Sequence, residues 1–285
     1  MNNPKLIEKL KALYNDNSKH SRYQNIPAFV REELGYTETI DENWRGDTAR
    51  YNYLLSQFDF TKEMIIGDIG ANTGFFSLSL AHKYPSIKIY AYECNPKHVE
   101  HIEIIKDYFS ISNLYVEPKM LDLKNIDNLK YHDLIINFNV LHHAGVDYDQ
   151  DFVNLDNFKS YAISYLAKLR EKTGKIIFQM GYNWGGNKQK PIIKLSNDLD
   201  KLAFTAKIFQ KAGWKIDMIA IIKKSENNYY ENIRKDIFEI LVNGNDCHTE
   251  HTDILNAYIN KMNLNIFSEF YRRPILVCKR NQSVD

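Results

Sequence analysis

The segment Asp68-Ile69-Gly70-Ala71-Asn72-Thr73-Gly74 places a carboxylate and two glycines between an apolar run and a helical pattern. Glycines at such a junction let the backbone turn tightly and let a ligand approach the main chain. In an open parallel sheet, ligands bind beyond the carboxyl ends of the strands. The next predicted strand ends at Glu93, whose carboxylate could accept both hydroxyls of a ribose. The two features together predict a ribose-containing ligand.

Three interpretations of this loop compete. It could be a tight turn without a ligand, because short glycine motifs also occur in that role. It could be a dinucleotide-binding loop, but that pattern needs glycine where Gly70, Asn72 and Phe75 stand and finds only the first. An acidic-x-Gly-x-Gly-x-Gly loop matches Asp68, Gly70 and Gly74 and departs only at Asn72. Asparagine tolerates positive φ better than most residues, so this departure is mild.

Short apolar runs alternate with helical patterns from Glu63 onward. This alternation predicts an α/β fold with a doubly wound, mostly parallel, seven-stranded sheet. The predicted strands are 64–68, 88–93, 114–117, 133–138, 175–180, 213–222 and 273–279. The predicted helices of this region are 75–83, 96–109, 157–171 and 196–212.

The sequence predicts three parts along the chain. Apolar residues at helical spacing in the first 60 residues indicate an N-terminal helical cap, 1–60. The core is expected over 61–222 and 271–285. A polar, tyrosine-bearing stretch, 223–270, separates the last two predicted strands and indicates a mostly helical insertion.

In motif order and spacing, residues 63–180 resemble the class I S-adenosylmethionine-dependent methyltransferases. The segment 68–74 resembles the first motif of that family, Glu93 its ribose-binding acid, and Leu121-Asp122-Leu123 the segment that meets the adenine. The run 133–143 resembles the fourth motif, where the strand end lines the methyl-transfer site. The resemblance implies a Rossmann-like methyltransferase fold with S-adenosylmethionine as the cofactor.

The resemblance also implies roles for single residues. Asp68 and the loop backbone would hold the methionine part of the cofactor, Glu93 the ribose and Asp122 the adenine edge. For each acid the alternative is a solvated strand-end residue or a helix cap. The cofactor-binding residues that the resemblance implies are Asp68, Gly70, Asn72, Gly74, Glu93, Asp122 and Asn139.

His142 and His143 follow the fourth predicted strand and are the candidate catalytic residues. Methyl transfer is an in-line displacement, and a hydroxyl acceptor gains from a base that removes its proton. Histidine suits this near neutral pH, whereas a phosphate-type or carboxylate oxygen needs no base. The alternative is that both histidines serve packing and loop geometry, and the sequence favours neither one over the other. Their adjacent side chains point apart and no third ligand is suitably spaced, so we expect no metal.

Candidate substrate-binding residues lie in two regions. The loop 179–187 carries Gln179, Tyr182 and Trp184 among three glycines, a composition that suits a mobile lid. An ordinary exposed loop with one buried aromatic anchor would have the same composition. In the N-terminal part, Arg22 and Arg45 could meet an anionic substrate or the cofactor carboxylate. Surface ion pairs are the alternative for both arginines.

Composition and charge restrict the partners. The formal net charge is +1, which gives no global electrostatic case for nucleic acid or an anionic membrane. No apolar run approaches the roughly 20 residues that span a bilayer. Three widely separated cysteines indicate a reducing compartment, so we expect a cytoplasmic protein. Cys247-His248 with His251 resembles half of a metal site without a second half.

The expected reaction is O-methylation of a small molecule or a glycan-related group, such as a sugar or phosphate-type oxygen of a polysaccharide precursor. The cap and the insertion would roof the site, which suits an acceptor of modest size. A tRNA-modifying methyl or carboxymethyl transferase is an alternative, because Trp44-Arg45 resembles a run in one enzyme of the family. A degenerate, non-catalytic binding protein with the same fold is the second alternative.

Overall fold

The computed structural model describes residues 4–17, 19–36, 38, 40, 42–194, 197–243 and 249–280. The pair Cys247-His248 lies outside these residues. By internal contacts the chain divides into two compact units. The first consists of Met1–Leu121 and His132–Ile136, and the second of Asp122–Tyr131 and Asn137–Asp285. The predicted division into cap, core and insertion stays a prediction.

The first unit begins with four helices and continues with alternating strands and helices. Helix α1 turns Leu10, Leu13 and Tyr14 inward, as its helical spacing predicts. Asn95 begins α6 because its side chain accepts a hydrogen bond from the Lys97 N–H, and Pro96 follows at the first helical position. The elements are α1 (Pro4–Tyr14), α2 (Ala28–Leu34), α3 (Glu42–Arg45), α4 (Asp47–Gln57), β1 (Ile65–Ile69), α5 (Phe75–Lys83), β2 (Lys88–Tyr92), α6 (Pro96–Tyr108) and β3 (Leu114–Glu117).

Strand β4 (His132–Phe138) starts in the first unit and ends in the second. In the second unit, Asn197 and Asp200 form a reciprocal capping box at the start of α8. The further elements are α7 (Phe158–Arg170), β5 (Thr173–Gln179), α8 (Asp198–Lys211), β6 (Trp214–Lys223), β7 (Tyr229–Asn232), α9 (Lys235–Asn243), α10 (Thr249–Lys261) and β8 (Ile275–Arg280). Short 3₁₀ turns cover Ile126–Asn128, Leu141–His143, Trp184–Gly186 and Leu264–Ile266.

The strands form one sheet in the order β3-β2-β1-β4-β5-β8-β6-β7. Strands β1, β2 and β3 pair in parallel, whereas β8 is antiparallel to both β5 and β6. The α/β fold with a doubly wound, mostly parallel sheet is therefore confirmed. The sheet has eight strands and not the predicted seven, because Tyr229–Asn232 pairs antiparallel with the end of β6.

The predicted elements agree closely with the observed ones, and α5 and β3 have the predicted ends. Strand β7 was missed because its polar sequence has no alternating apolar pattern. The rest of the insertion is largely helical over its described residues, with α9 and α10. Within the part of the chain that the structure describes, no helix has the length and apolar character needed to cross a membrane.

Candidate functional site

The loop after β1 is left-handed at three positions, Gly70 (φ 70°), Asn72 (φ 52°) and Gly74 (φ 85°). Glycine adopts this conformation without steric cost, and asparagine tolerates it better than most residues. A β-carbon at position 74 would also lie 2.8 Å from Ile102 Cγ1 and 3.0 Å from Leu78 Cδ1. Position 74 therefore needs glycine both for its backbone angle and for the space that its neighbours leave.

Glu93, one residue beyond β2, is buried and held by its surroundings. Its carboxylate accepts backbone hydrogen bonds from Asn72 (2.7 Å) and Asn95 (2.8 Å), and His98 Nδ1 lies 3.6 Å from Oε1. Burial alone would raise the pKa of this carboxyl, but His98 and the two N–H groups outweigh it and lower the pKa. The strand end thus carries an ionised carboxylate whose remaining lone pairs could accept two hydroxyls.

Asp68, inside β1, is buried, and its carboxylate accepts a short hydrogen bond from the Ser77 hydroxyl of α5. Burial raises the pKa of Asp68 to about 6; the Ser77 bond opposes this shift and the negative charge of Glu93 adds to it. The carboxyl therefore connects the strand to the helix that follows the loop. A direct bond to the methionine part of a cofactor stays a prediction.

The N-terminal part of the first unit contacts the glycine loop twice. The Asn72 side chain donates to the His20 carbonyl (3.0 Å), and Gln24 Oε1 accepts the backbone N–H of Phe75 (3.0 Å). Gln24 thereby satisfies one of the donors that the start of a helix leaves unpaired. Sequence analysis singled out this region but gave Gln24 no role, because the two partners are 51 positions apart.

The two arginines of the N-terminal part have different surroundings. Arg22 is exposed, with φ 56°, whereas Arg45 is buried and its guanidinium lies 3.9 Å from the centroid of the Tyr23 ring. A third arginine, Arg50, is buried in an ion pair with Asp47. Sequence analysis missed Arg50, since a lone arginine on a helix gives no signal of its own. Contact of Arg22 or Arg45 with a ligand stays a prediction.

Asp122, in the second unit, closes a local turn. Its Oδ1 accepts the backbone N–H groups of Lys124 (3.0 Å) and Asn125 (2.9 Å). The next residue, Leu123, donates its N–H to Asp149 Oδ2 (2.9 Å). One oxygen of Asp122 thus acts as a cap, the alternative that the sequence left open. Its bond to an adenine stays a prediction that would rely on the other oxygen.

Asn139 and Gln179 bond to each other at the ends of β4 and β5. The Asn139 N–H donates to the Gln179 carbonyl (2.6 Å), and its side chain donates to Gln179 Oε1 (3.0 Å). The Gln179 amide in turn donates to Tyr230 Oη (3.0 Å) and to the Arg273 carbonyl (2.8 Å). Gln179 is completely buried. This geometry favours a supporting role for both residues over direct ligand contact.

His142 and His143 stand in the 3₁₀ turn after β4, and their surroundings differ. His142 is buried, and its Nδ1 accepts the backbone N–H of Gly181 (3.2 Å). Because a backbone N–H only donates, the neutral His142 ring carries its hydrogen on Nε2. His143 Nδ1 lies 2.8 Å from Asp147 Oδ2, and the side chain of His143 is 12% exposed. The negative charge of Asp147 at this distance would stabilise a protonated His143 ring.

The loop after β5 is anchored at both of its aromatic residues. The Tyr182 hydroxyl is buried and bonds to Thr205 Oγ1 (2.7 Å) and the Lys201 carbonyl (3.2 Å). Trp184 Nε1 donates to the Ala144 carbonyl (2.7 Å). Tyr182 is thus a buried anchor, as one of the two interpretations expected. Contact of either residue with a substrate stays a prediction.

Comparison with known proteins identifies a fold. No protein-family model and no curated protein matches the chain. WbdD is a bifunctional kinase-methyltransferase. Its structure with the kinase inhibitor LY294002 is similar to this chain at a TM-score of 0.53 and 15% identity. The match covers 78% of this chain and 46% of WbdD. A low-resolution WbdD structure matches at a TM-score of 0.50 and 12% identity, over 98% of this chain and 41% of WbdD.

This chain has a Rossmann-like methyltransferase fold. It spans less than half of the length of these WbdD structures. Magnesium protoporphyrin IX methyltransferase from Synechocystis with bound S-adenosylmethionine also matches, at 13% identity and a TM-score of 0.47, over 98% of this chain and 93% of the other. The sequence resemblance to class I methyltransferases is therefore confirmed at the level of the fold.

Within this methyltransferase fold, the first unit brings together Asp68, the glycine loop and Glu93, as predicted from the sequence. The second unit brings the two histidines beside the start of the loop after β5. Sequence analysis missed Asp147, although its spacing of four residues from His143 was a usable signal. Two further residues had no role from the sequence: Arg273, whose contact with Asn139 spans 134 positions, and Glu269, which pairs with Arg273.

Proposed function

We propose that the chain is an S-adenosylmethionine-dependent methyltransferase. The ionised carboxylate of Glu93, held by the Asn72 N–H of the glycine loop, is the observation that carries this proposal. A buried, oriented carboxylate at this strand end fits the two hydroxyls of a ribose. When bound, the cofactor would supply an electrophilic methyl group. The glycine loop would bind and orient it, together with Asp68.

Calorimetry tests the donor. Wild-type protein should bind S-adenosylmethionine and S-adenosylhomocysteine, and Glu93→Gln should weaken both by about 1 to 3 kcal/mol. Glu117→Gln is the matched control, since Glu117 ends the neighbouring strand β3 and pairs with Lys119. No binding of either compound would sink the proposal and favour a degenerate binding protein. Tight binding of NADH in their place would indicate a dehydrogenase.

For the acceptor, we propose a hydroxyl of a small molecule or a glycan-related group. The 2.8 Å approach of Asp147 to His143 supports this choice, because a carboxylate beside an imidazole favours the proton uptake that a hydroxyl acceptor requires. His143 would take the hydroxyl proton while the Asp147 carboxylate stabilises the positive charge that the ring acquires. His142 would keep the turn in place, since its Nδ1 already accepts the Gly181 N–H.

Transfer of a radiolabelled methyl group to a panel of acceptors tests this assignment. The panel should contain neutral sugars, phenols, sugar phosphates and bulk tRNA. Label in neutral hydroxyl compounds, lost by about 10²-fold or more in His143→Asn, supports the assignment. Label found on a phosphate oxygen of the sugar phosphates, or full turnover in both His142→Asn and His143→Asn, would contradict it. Label confined to tRNA would favour the RNA-modifying alternative.

A further inference from the structure

Arg273 is a buried arginine that lies just before β8 and is held by two residues. Its Nε and Nη2 donate to the two carboxylate oxygens of Glu269 (3.3 and 2.8 Å), and its Nη1 donates to Asn139 Oδ1 (2.7 Å). Burial would raise the pKa of Glu269, but the Arg273 charge outweighs it and lowers the pKa. The pair is therefore ionised, and the planar guanidinium is fixed from two sides.

These contacts close a ring of hydrogen bonds. The Arg273 side chain donates to Asn139, the Asn139 side chain donates to Gln179 Oε1, and the Gln179 amide donates back to the Arg273 carbonyl. Two further hydroxyl bonds brace the ring: Gln179 donates to Tyr230 Oη, which donates to the Tyr271 carbonyl (3.2 Å). The ends of β4 and β5 and the start of β8 are thus joined by side chains.

The ring contacts the histidine turn through Gly181. A β-carbon at this glycine would lie 2.7 Å from Cδ2 and Nε2 of His142 and 2.9 Å from Arg273 Nη2. The imidazole and the guanidinium therefore both rest against Gly181, whose N–H is the donor to His142 Nδ1. Asn139, the other partner of Arg273, is left-handed (φ 63°) and lies two residues before the turn Leu141–His143 that carries both histidines.

We propose that Arg273 is a positioning residue, which Glu269 clamps so that it fixes the turn carrying His142 and His143. The importance of this turn for methyl transfer rests on the proposed function. In this role the insertion between β6 and β8, which supplies Tyr230 and Glu269, acts as a brace of the site. An arginine that binds an acidic acceptor is the competing role. Pairing with Glu269 disfavours it, because the carboxylate already neutralises the guanidinium.

The proposal is tested by NMR on uniformly ¹⁵N-labelled protein. In the wild type, His142 should be the neutral tautomer with its hydrogen on Nε2, and the Gly181 amide should exchange slowly with solvent. In Arg273→Gln the Gly181 amide should exchange at least about 10-fold faster, and His142 should lose this single tautomer. Arg272→Gln is the matched control, because this adjacent arginine pairs with Asp198 instead.

Arg273→Lys is a second test variant, for use if Arg273→Gln does not fold. It keeps the charge and the apolar stem, but a single ammonium cannot reproduce the guanidinium fork to Glu269 and Asn139. It should therefore show the same faster exchange at Gly181, with the control again unchanged. Folded Arg273 variants with unchanged Gly181 exchange and an unchanged His142 tautomer would overturn the proposal.

Two further readouts separate the possible failures. Inorganic phosphate at millimolar concentration should leave the Arg273 guanidinium signals of the wild type in place. A saturable shift of those signals would assign Arg273 to anion binding and would overturn the positioning role. Affinity for S-adenosylhomocysteine, measured on the same samples, reports on the proposed function alone. If the wild type does not bind S-adenosylhomocysteine, the proposed function is wrong, but the NMR result on Arg273 is unaffected.

Discussion

His143 Nδ1 and Asp147 Oδ2 lie 2.8 Å apart, and neither side chain is more than about a fifth exposed, at 12% and 21%. The two residues stand four positions apart at the 3₁₀ turn that follows β4. A carboxylate at this distance stabilises the imidazolium that forms when the His143 ring takes a proton. The adjacent His142 has no such arrangement at Nδ1, because that atom accepts the Gly181 N–H.

This relationship predicts that Asp147→Asn lowers methyl transfer to a hydroxyl acceptor by about 10²-fold, since the neutral amide does not stabilise the imidazolium. Initial rates with the acceptor found in the panel would measure the loss. Asp151→Asn changes an exposed acid of the same region and should leave the rate unchanged. Equal rates in the wild type and in Asp147→Asn would make the pair a structural feature only.

Gly74→Ala should destabilise the protein more than Gly186→Ala. Both glycines are left-handed, at φ 85° and 79°, so both substitutions carry a backbone cost of about 1 kcal/mol. At Gly74 the new β-carbon would also lie 2.8 Å from Ile102 Cγ1, whereas at Gly186 the nearest atom, His143 Cε1, is 4.0 Å away. Urea unfolding should show a further loss of about 1 to 3 kcal/mol for Gly74→Ala. Equal losses would contradict this packing.

Asp68 should make stability fall as the pH rises. Burial raises the pKa of this carboxyl to about 6, above its usual value of 3.8. Its stabilising contribution is full below the usual pKa and is lost as the pH rises through 6. The side chain in Asp68→Asn cannot ionise. The unfolding free energy of this variant, relative to that of the wild type, should therefore rise by up to about 3 kcal/mol between pH 4 and 7. A constant difference over this range would refute the shift.

His101 should have the opposite pH dependence. It is completely buried, which lowers its pKa to about 4 against the opposing effect of its bond with the Thr73 carbonyl (3.2 Å). A neutral buried histidine stabilises the fold fully above its usual pKa of 6.5 and loses this contribution as the pH falls through 4. His101→Asn can keep a donor to Thr73 without titrating.

The acid-induced loss of unfolding free energy should therefore be smaller in His101→Asn, by up to about 3 kcal/mol between pH 6.5 and 4. Urea unfolding at several pH values measures it. An acid limb as steep in His101→Asn as in the wild type would show that His101 is protonated in the folded protein.

The sequence by itself determined the alternation of strands and helices and the position of the glycine loop. Both depend on local chemistry. The largely apolar sequence of Phe75–Lys83 suits a helix that is buried over 75–81, and the backbone freedom of Gly70 and Gly74 decides where the chain turns. Strand β7 was not determined in this way, because it forms through pairing with β6 and its own residues are polar.

Only the tertiary structure distinguishes the surroundings of His142 from those of His143. Side by side in the sequence, they are chemically identical, and they differ only in what folding brings to each Nδ1: the Gly181 N–H for one and the Asp147 carboxylate for the other. The contact of Arg273 with Asn139 joins residues 134 positions apart. Such contacts follow from the packing of the sheet ends, which residue type and local spacing do not encode.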